Sequence, residues 1–290
     1  MVIYLENKTL LTFKLFYKIK NRNSILYVLF FAIIMLSIIF AVKYKTPQSF
    51  TDNIGIISVI IIPVISILVF YDYITYLYET NELKRLIIEP LTNFNFYMAL
   101  ILNASFISFI IMVLIIMPEF SAMYFLHYLY FNSVIKFLIF GFYIFLYTLL
   151  FSLFSIIFTV VSKRSYISLT MPVMLFLFII YGYPFILNGI NNYIIYPLYG
   201  INSNSVNAEY ISNLEFYFSP VGTVPTIQNM LYNKYYINFS FKYGIFCNIV
   251  KSNFIHSVNI SLFFMIPTVI YIIIFSILIL FALRYLHKKY

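Results

Sequence analysis

The sequence has no tryptophan, a single cysteine and few charged residues, and each shortage excludes a class of protein. Only 9% of the 290 residues are Asp, Glu, Lys or Arg, against roughly 25% in an ordinary soluble domain. So few charges would not cover the surface of a soluble protein of this length. One cysteine cannot build a disulfide framework. Because 63% of the residues are hydrophobic, intrinsic disorder is excluded as well.

Long apolar runs are what the sequence does have, and they predict an all-α integral membrane protein. A helix needs about 20 mostly apolar residues to cross the hydrocarbon core. Six segments meet this requirement: residues 24–42, 54–76, 96–117, 134–161, 166–187 and 260–283. For the first segment a cleaved signal peptide is the alternative, but no small-residue cleavage site follows it. We therefore predict six transmembrane helices.

The distribution of Lys and Arg predicts how the spans are oriented. Both termini, the loop over residues 79–95 and the turn over residues 162–165 would lie on one side of the membrane. These segments hold twelve of the eighteen basic residues, so we place them in the cytoplasm. Residues 188–259 would then be an extracellular loop and residues 284–290 a cytoplasmic tail. Anchoring to anionic headgroups accounts for the net charge of +9, so no nucleic-acid partner is expected.

Residues 1–23 are predicted to form an amphipathic helix that lies on the membrane before the first span. Leu10, Phe13, Phe16 and Tyr17 share one face of a helical wheel. Such a face is typical of a helix that rests in the headgroup region. The alternative is a basic flank that only sets the topology.

The loop between the second and third predicted spans is unusually rich in charge. Five of the twelve residues over 79–90 are charged. Leu83, Leu86 and Ile87 fall on one helical face, and Pro90 would end the helix just before it. The segment is therefore predicted to be a short amphipathic helix that docks a cytoplasmic partner. An ordinary charged connector is the alternative.

No motif for catalysis or for cofactor binding occurs in the sequence. The seven glycines never form the phosphate-binding pattern G-x-x-x-x-G-K-[ST]. His127, His256 and His287 lack the spacing of metal ligands, and no G-x-S-x-G elbow marks a serine nucleophile. No carboxylate or basic side chain lies near the centre of a predicted span, which argues against ion-coupled transport. We expect neither catalysis nor a bound cofactor or metal in this chain.

This organisation resembles that of the permease subunits of type 2 ABC exporters, over essentially the whole chain. Those proteins have an interfacial helix, six spans, an amphipathic coupling helix between spans two and three, and a large external segment before span six. The residues that match the coupling helix are Glu79, Leu83, Lys84, Leu86, Ile87 and Pro90. Asn81 and Glu82 stand where the family usually has Gly-Thr. The family's usual lysine at the start of span three is absent, and Asn103 is the nearest polar residue.

The resemblance implies a transport subunit that binds a cytoplasmic ABC ATPase and pairs with a second permease subunit, as a homo- or heterodimer in the lipid bilayer. ATP and Mg would bind in the ATPase. The residues implied at the ATPase contact are Glu79, Glu82, Lys84, Arg85, Leu86 and Glu89, with Lys163 and Arg164 as a second, smaller contact. For these last two residues, anchoring of the topology is the alternative role.

The substrate class follows only in outline from the composition. Aromatic residues make up 22% of the chain, and an aromatic, charge-poor interior suits an apolar or amphipathic substrate such as a peptide, an antibiotic or a lipid. The alternative function is a non-transporting membrane sensor or assembly partner, whose charged loop docks a cytoplasmic regulator. The two hypotheses differ in whether the cytoplasmic partner hydrolyses ATP.

Overall fold

The structure is a computed structural model. It describes residues 61–79, 93–125, 131–162, 164–201, 235–240, 246–251 and 254–289. The predictions for the N-terminal amphipathic helix, the first span and residues 80–92 of the coupling segment lie outside these residues.

The described chain consists of six helical elements and one β-hairpin. In chain order the helices are α1 (residues 61–70), α2 (Thr75–Glu79), α3 (Asn93–Phe125), α4 (Phe131–Val161), α5 (Ser165–Tyr199) and α6 (Phe254–Lys289). Between α5 and α6, strand β1 (Tyr235–Ser240) pairs antiparallel with β2 (Phe246–Lys251). In this hairpin Tyr235 is opposite Lys251, and Ser240 is opposite Phe246.

Helices α3 to α6 are each long and apolar enough to cross a membrane, as expected for an all-α membrane protein. Their apolar stretches are Phe94–Met117, Leu138–Val161, Ser165–Tyr199 and Met265–Arg284. These stretches overlap the predicted third to sixth spans. The described part of the second predicted span, Ile61–Leu77, is a shorter apolar segment.

Helix α4 lies at the centre of the described bundle, where it contacts α3, α5 and α6. Within an 18-residue window of its apolar stretch, 78% is buried inside the protein. Tyr143, Tyr147 and Phe151 are fully buried along one side of it. The ring centroids of Tyr147 and Phe151 are 5.0 Å apart at a near-perpendicular angle, the edge-to-face geometry that aromatic pairs favour. An aromatic column in α4 thus forms much of the core.

A second face of α4 carries buried hydroxyl groups at helical spacing, on Thr148, Ser152, Ser155 and Thr159. The Thr148 and Ser152 hydroxyls donate to carbonyls of the preceding turn, at 2.7 and 2.8 Å. Since these hydroxyls are satisfied within the helix, they do not need water. Small side chains of this kind let neighbouring helices approach closely in a membrane.

Helix α5 extends beyond the predicted end of the fifth span, so residues 188–199, predicted as the start of an extracellular loop, are helical. Two π-helical turns, Phe178–Gly182 and Asn191–Ile195, interrupt its α-helical hydrogen bonding. Each π-turn ends two residues before a proline, Pro184 or Pro197, which has no N–H to donate. The wider turn accommodates the missing bond, so proline does not end the helix.

Helix α5 ends instead at a glycine. Gly200 has φ of +62° and closes the helix in the left-handed conformation. Glycine adopts this conformation without the steric penalty of a Cβ atom, which makes it the usual residue just past a helix end. The span predicted from the sequence ends at residue 187, and that prediction did not use this stop signal.

Candidate functional site

The candidate site lies where the end of α2 meets the start of α5. Helix α1 stops at Phe70, and residues 71–74 form a turn before α2. In this turn the Tyr73 N–H donates to the Phe70 carbonyl at 3.2 Å, which tightens the chain relative to an α-helix. The Tyr71 carbonyl accepts bonds from the hydroxyls of Thr75, at 3.3 Å, and Ser168. The turn is thus bonded to α5 through Ser168.

Glu79, the last residue of α2, binds the first residue of α5. The Ser165 hydroxyl donates to Glu79 Oε1 at 2.7 Å, and the Ser165 N–H donates to the same oxygen at 3.0 Å. The first N–H groups of a helix have no partner within the helix and favour a negative charge. The Glu79 carboxylate therefore caps α5 from a distant part of the sequence.

The residue before α5 does not supply a side-chain cap for the helix. Arg164 occupies the N-cap position in an extended conformation, with φ of −127° and ψ of 131°, and its side chain makes no capping bond. Ser, Thr, Asp and Asn are the residues that normally cap from this position. Because the Arg164 side chain has no hydrogen-bond acceptor, the acceptor for the Ser165 N–H has to come from elsewhere, and Glu79 supplies it.

The hydrogen bonds from Ser165 also set the ionisation of Glu79. First the side-chain bond and then the backbone bond from Ser165 hold the pKa of the Glu79 carboxyl below its ordinary value, against a smaller opposing effect of burial. Glu79 is exposed to solvent, so water screens part of this interaction. At neutral pH the side chain is a carboxylate, the form that accepts both bonds.

Arg164 lies beside this pair with its charge directed toward a tyrosine. Its Nη1 donates to the Tyr166 hydroxyl at 3.1 Å, and the guanidinium carbon lies 6.0 Å from the centre of the Tyr166 ring. Both side chains are exposed. A basic group and an acidic group therefore occupy neighbouring positions on one exposed end of the bundle.

Of the eight residues implied at the ATPase contact, the structure describes two, Glu79 and Arg164, and brings both to this end. The remaining six lie outside the described residues: Glu82, Lys84, Arg85, Leu86, Glu89 and Lys163. Sequence reasoning missed Ser165 and Ser168, whose hydroxyls join α5 to the chain around α2. The signal that would have found them is a helix start without a capping residue of its own.

A second polar contact lies inside the bundle, at Asn103. This is the polar residue nearest to the position where the exporter family usually has a lysine. Asn103 of α3 donates through Nδ2 to the Tyr73 hydroxyl, and both side chains are buried. The Asn103 Oδ1 atom has no hydrogen-bond partner in the described part of the chain. A neutral pair thus connects α3 to the turn before α2, since polar side chains bond across helices in membranes.

The described residues offer no metal centre, because no three His, Cys, Asp or Glu side chains among them are grouped to hold an ion. No protein-family model matches the sequence, and the search of curated proteins finds no match. A functional assignment consequently depends on the residues themselves and on the geometry at the end of α2 and the start of α5.

Proposed function

We propose that this chain is the membrane-spanning permease subunit of an ABC exporter of type 2. In this proposal it moves an apolar or amphipathic substrate, such as a peptide, an antibiotic or a lipid, out of the cell. A separate cytoplasmic subunit binds and hydrolyses ATP. Six spans place both termini in the cytoplasm, and a second permease subunit completes the path through the bilayer.

The observation that carries the proposal is the pair of bonds between Glu79 and Ser165, at 2.7 and 3.0 Å. Glu79 begins the segment between the second and third spans, and Ser165 ends the turn between the fourth and fifth. In the exporter family these two segments face the ATPase. Their contact in this chain supports one continuous docking surface at that end of the bundle.

The composition of the bundle supports a subunit that conducts and does not catalyse. The described helices are apolar, and the buried polar residues of α4 are the hydroxyl residues Thr148, Ser152, Ser155 and Thr159. An interior poor in charge and rich in aromatic side chains, which make up 22% of the chain, favours amphipathic molecules over strongly charged ones. This is the basis on which we propose the substrate class.

The first test is purification of the tagged chain from its native membranes in mild detergent, followed by mass spectrometry. We expect a stoichiometric partner that carries the phosphate-binding pattern G-x-x-x-x-G-K-[ST]. A second, related membrane subunit would indicate a heterodimer. If crosslinking before lysis recovers a cytoplasmic partner without a nucleotide site, the exporter proposal is wrong and the sensor alternative takes its place.

The second test is a charge on the predicted docking face. Leu86→Asp places a carboxylate on the apolar face shared with Leu83 and Ile87, so we expect ATPase binding or transport to fall about tenfold or more, since one buried charge costs several kcal/mol. Ile88→Asp is the matched control, because residues two positions apart do not share a helical face. Equal export by wild type and Leu86→Asp would contradict the assignment of the coupling helix.

A further inference from the structure

The chain around α2 is attached to different neighbours on its two sides. Before the turn, the Ser155 hydroxyl of α4 donates to the Ile67 carbonyl at 3.4 Å. Within the turn, Tyr73 is bonded to Asn103 of α3, and the Tyr71 carbonyl accepts the first bond to α5, from the Ser168 hydroxyl. These contacts, together with the buried side chains of Ile62, Ile65 and Phe70, hold α1 and the turn against the core of the bundle.

After the turn, the polar bonds lead to α5. The Thr75 and Ser165 hydroxyl oxygens are 3.5 Å apart, and Glu79 receives the two bonds from Ser165. Thr75 is fully buried at this junction. The short helix α2 is therefore bonded to the first turn of α5, and the change of partner occurs at the turn over residues 71–74.

Helix α5 is also the long helix with the least burial. Within an 18-residue apolar window of α5 only 6% is buried inside the protein, against 78% in the corresponding window of α4. A displacement of its first turn therefore meets less packing resistance than a displacement of α4 would, since local motion follows low contact density. Tyr71, Thr75 and Glu79 are all bonded to that turn, and Glu79 is the one that adjoins the coupling segment, so it is the residue that would deliver such a displacement.

We propose that Glu79 is a positioning residue that ties the coupling segment to α5, so that the two move as one body about the turn over residues 71–74. This inference rests on the proposed function, because it supposes that a partner acts on residues 79–90. It changes the role of Glu79 within that function. The carboxylate bonds inside the chain to Ser165 and transmits the movement, and the residues that follow it contact the ATPase.

The experiment compares transport per ATP hydrolysed in the intact complex for variants on both sides of the bond. Glu79→Ala removes the acceptor. Ser165→Pro removes both donors and is tolerated at the first position of a helix. Arg164 already has the extended conformation that a residue before proline requires. We expect each variant to lower the transport yield about tenfold while ATP hydrolysis and ATPase binding persist.

Milder variants keep the test informative if a stronger one does not fold. Ser165→Ala retains the N–H donor, and Glu79→Gln retains an acceptor oxygen without the charge, so both should lose about threefold. Thr170→Ala is the matched control. Its hydroxyl is exposed on the same helix, and within the described residues it bonds to the α5 carbonyls of Tyr166 and Ile167, at 2.9 and 3.5 Å, so its yield should equal that of the wild type.

The double variant Glu79→Ala with Ser165→Pro decides whether the two residues act together. If they form one link, the double variant loses no more than either single variant. Multiplied losses would mean independent roles and would overturn the inference. Loss of ATPase binding in Glu79→Ala alone would also overturn it, because Glu79 would then contact the partner directly.

A crosslinking measurement separates failure of this inference from failure of the proposed function. Glu79→Cys and Ser165→Cys are combined in a Cys247→Ser background and treated in native membranes with a short bifunctional thiol reagent. Crosslinking of this pair, and not of Glu79→Cys with Thr170→Cys, reports the contact without any assay of transport. If the wild-type chain carries no ATPase, the proposed function fails, and the transmitting role of Glu79 is withdrawn even where the contact is found.

Discussion

Helices α4 and α5 are both long and strongly apolar, yet they differ almost completely in burial. In α4, 78% of an 18-residue apolar window is buried inside the protein, whereas in the corresponding window of α5 the share is 6%. An apolar run therefore predicts that a helix resides in the membrane, and it does not predict which helix lies at the centre. The reason is that lipid tails are as apolar as leucine, so water avoidance does not draw helices together.

What separates the two helices is the size and polarity of their side chains. Helix α4 buries four hydroxyl residues at helical spacing, which allows close packing, whereas α5 exposes large side chains along its length. Among these, Phe185 is 80% exposed and Tyr193 is 86% exposed. Packing and hydrogen bonding between helices select α4 as the core. The exposed face of α5 is left for lipid or for another protein chain.

The largest expected effect comes from removing one tyrosine ring from each helix. Tyr147→Ala in α4 should lower the free energy of unfolding by about 3–5 kcal/mol, because a fully buried aromatic ring leaves a cavity. Tyr193→Ala in α5 should change it by less than about 0.5 kcal/mol. Thermal unfolding in lipid nanodiscs measures both. Similar losses for the two variants would mean that α5 is packed as tightly as α4.

An enlarged side chain tests the same comparison from the opposite direction. Ser152→Leu adds volume where α4 faces Ser108 of α3, with the two hydroxyl oxygens 3.4 Å apart, so we expect a loss of about 1–3 kcal/mol. Thr170→Leu, at an exposed position of α5, should be nearly neutral. Unfolding midpoints in the same nanodiscs provide the measurement, and a neutral Ser152→Leu would contradict close approach of α3 and α4.

Much of the helical architecture could be predicted from the sequence. The predicted third and fourth spans both end at residues where the apolar stretches of α3 and α4 end, Met117 and Val161. Insertion into a membrane depends on the length of an apolar run, which the sequence displays directly. The helical spacing of the hydroxyl residues also marks the buried face of α4 in the sequence, but our prediction did not include that face. These residues are Thr148, Ser152, Ser155 and Thr159.

The candidate site could be predicted only in part. Charge composition singled out Glu79 and Arg164, but no local pattern relates Glu79 to Ser165, since the bond joins distant parts of the chain. The structure extends α5 to Tyr199, beyond the predicted end of the fifth span at residue 187, and through Pro184 and Pro197. A π-turn before each proline keeps the helix continuous, and local sequence rules for proline do not anticipate it.

A glycine pair gives a smaller and more discriminating effect. A Cβ atom on Gly141 of α4 would lie 2.6 Å from the Cδ1 atom of Ile116, whereas one on Gly189 of α5 would meet nothing within 4 Å. Gly189→Ala should therefore stabilise the protein by about 0.5–1 kcal/mol through lower backbone entropy in the unfolded chain. In Gly141→Ala the displacement of Ile116 should cancel that gain. Stabilisation of both variants would show that the α3–α4 contact yields easily.

The smallest expected effect concerns the point where α5 joins α2. The hydrogen bonds from Ser165 lower the pKa of the Glu79 carboxyl, so the folded protein binds this proton less readily than the unfolded chain. The stabilisation is therefore complete above the ordinary glutamate pKa of about 4.3 and is lost as the pH falls through the lower folded-state pKa. Since Glu79 is exposed, solvent limits this stabilisation to about 0.5 kcal/mol or less.

The unfolding midpoints of wild type and Glu79→Gln should differ by a constant amount from pH 7 to about pH 5 and converge below about pH 4. A difference that persists unchanged at lower pH would mean that ionised Glu79 does not cap α5, and that this weakly buried helix is held to α2 by its hydroxyl contacts alone.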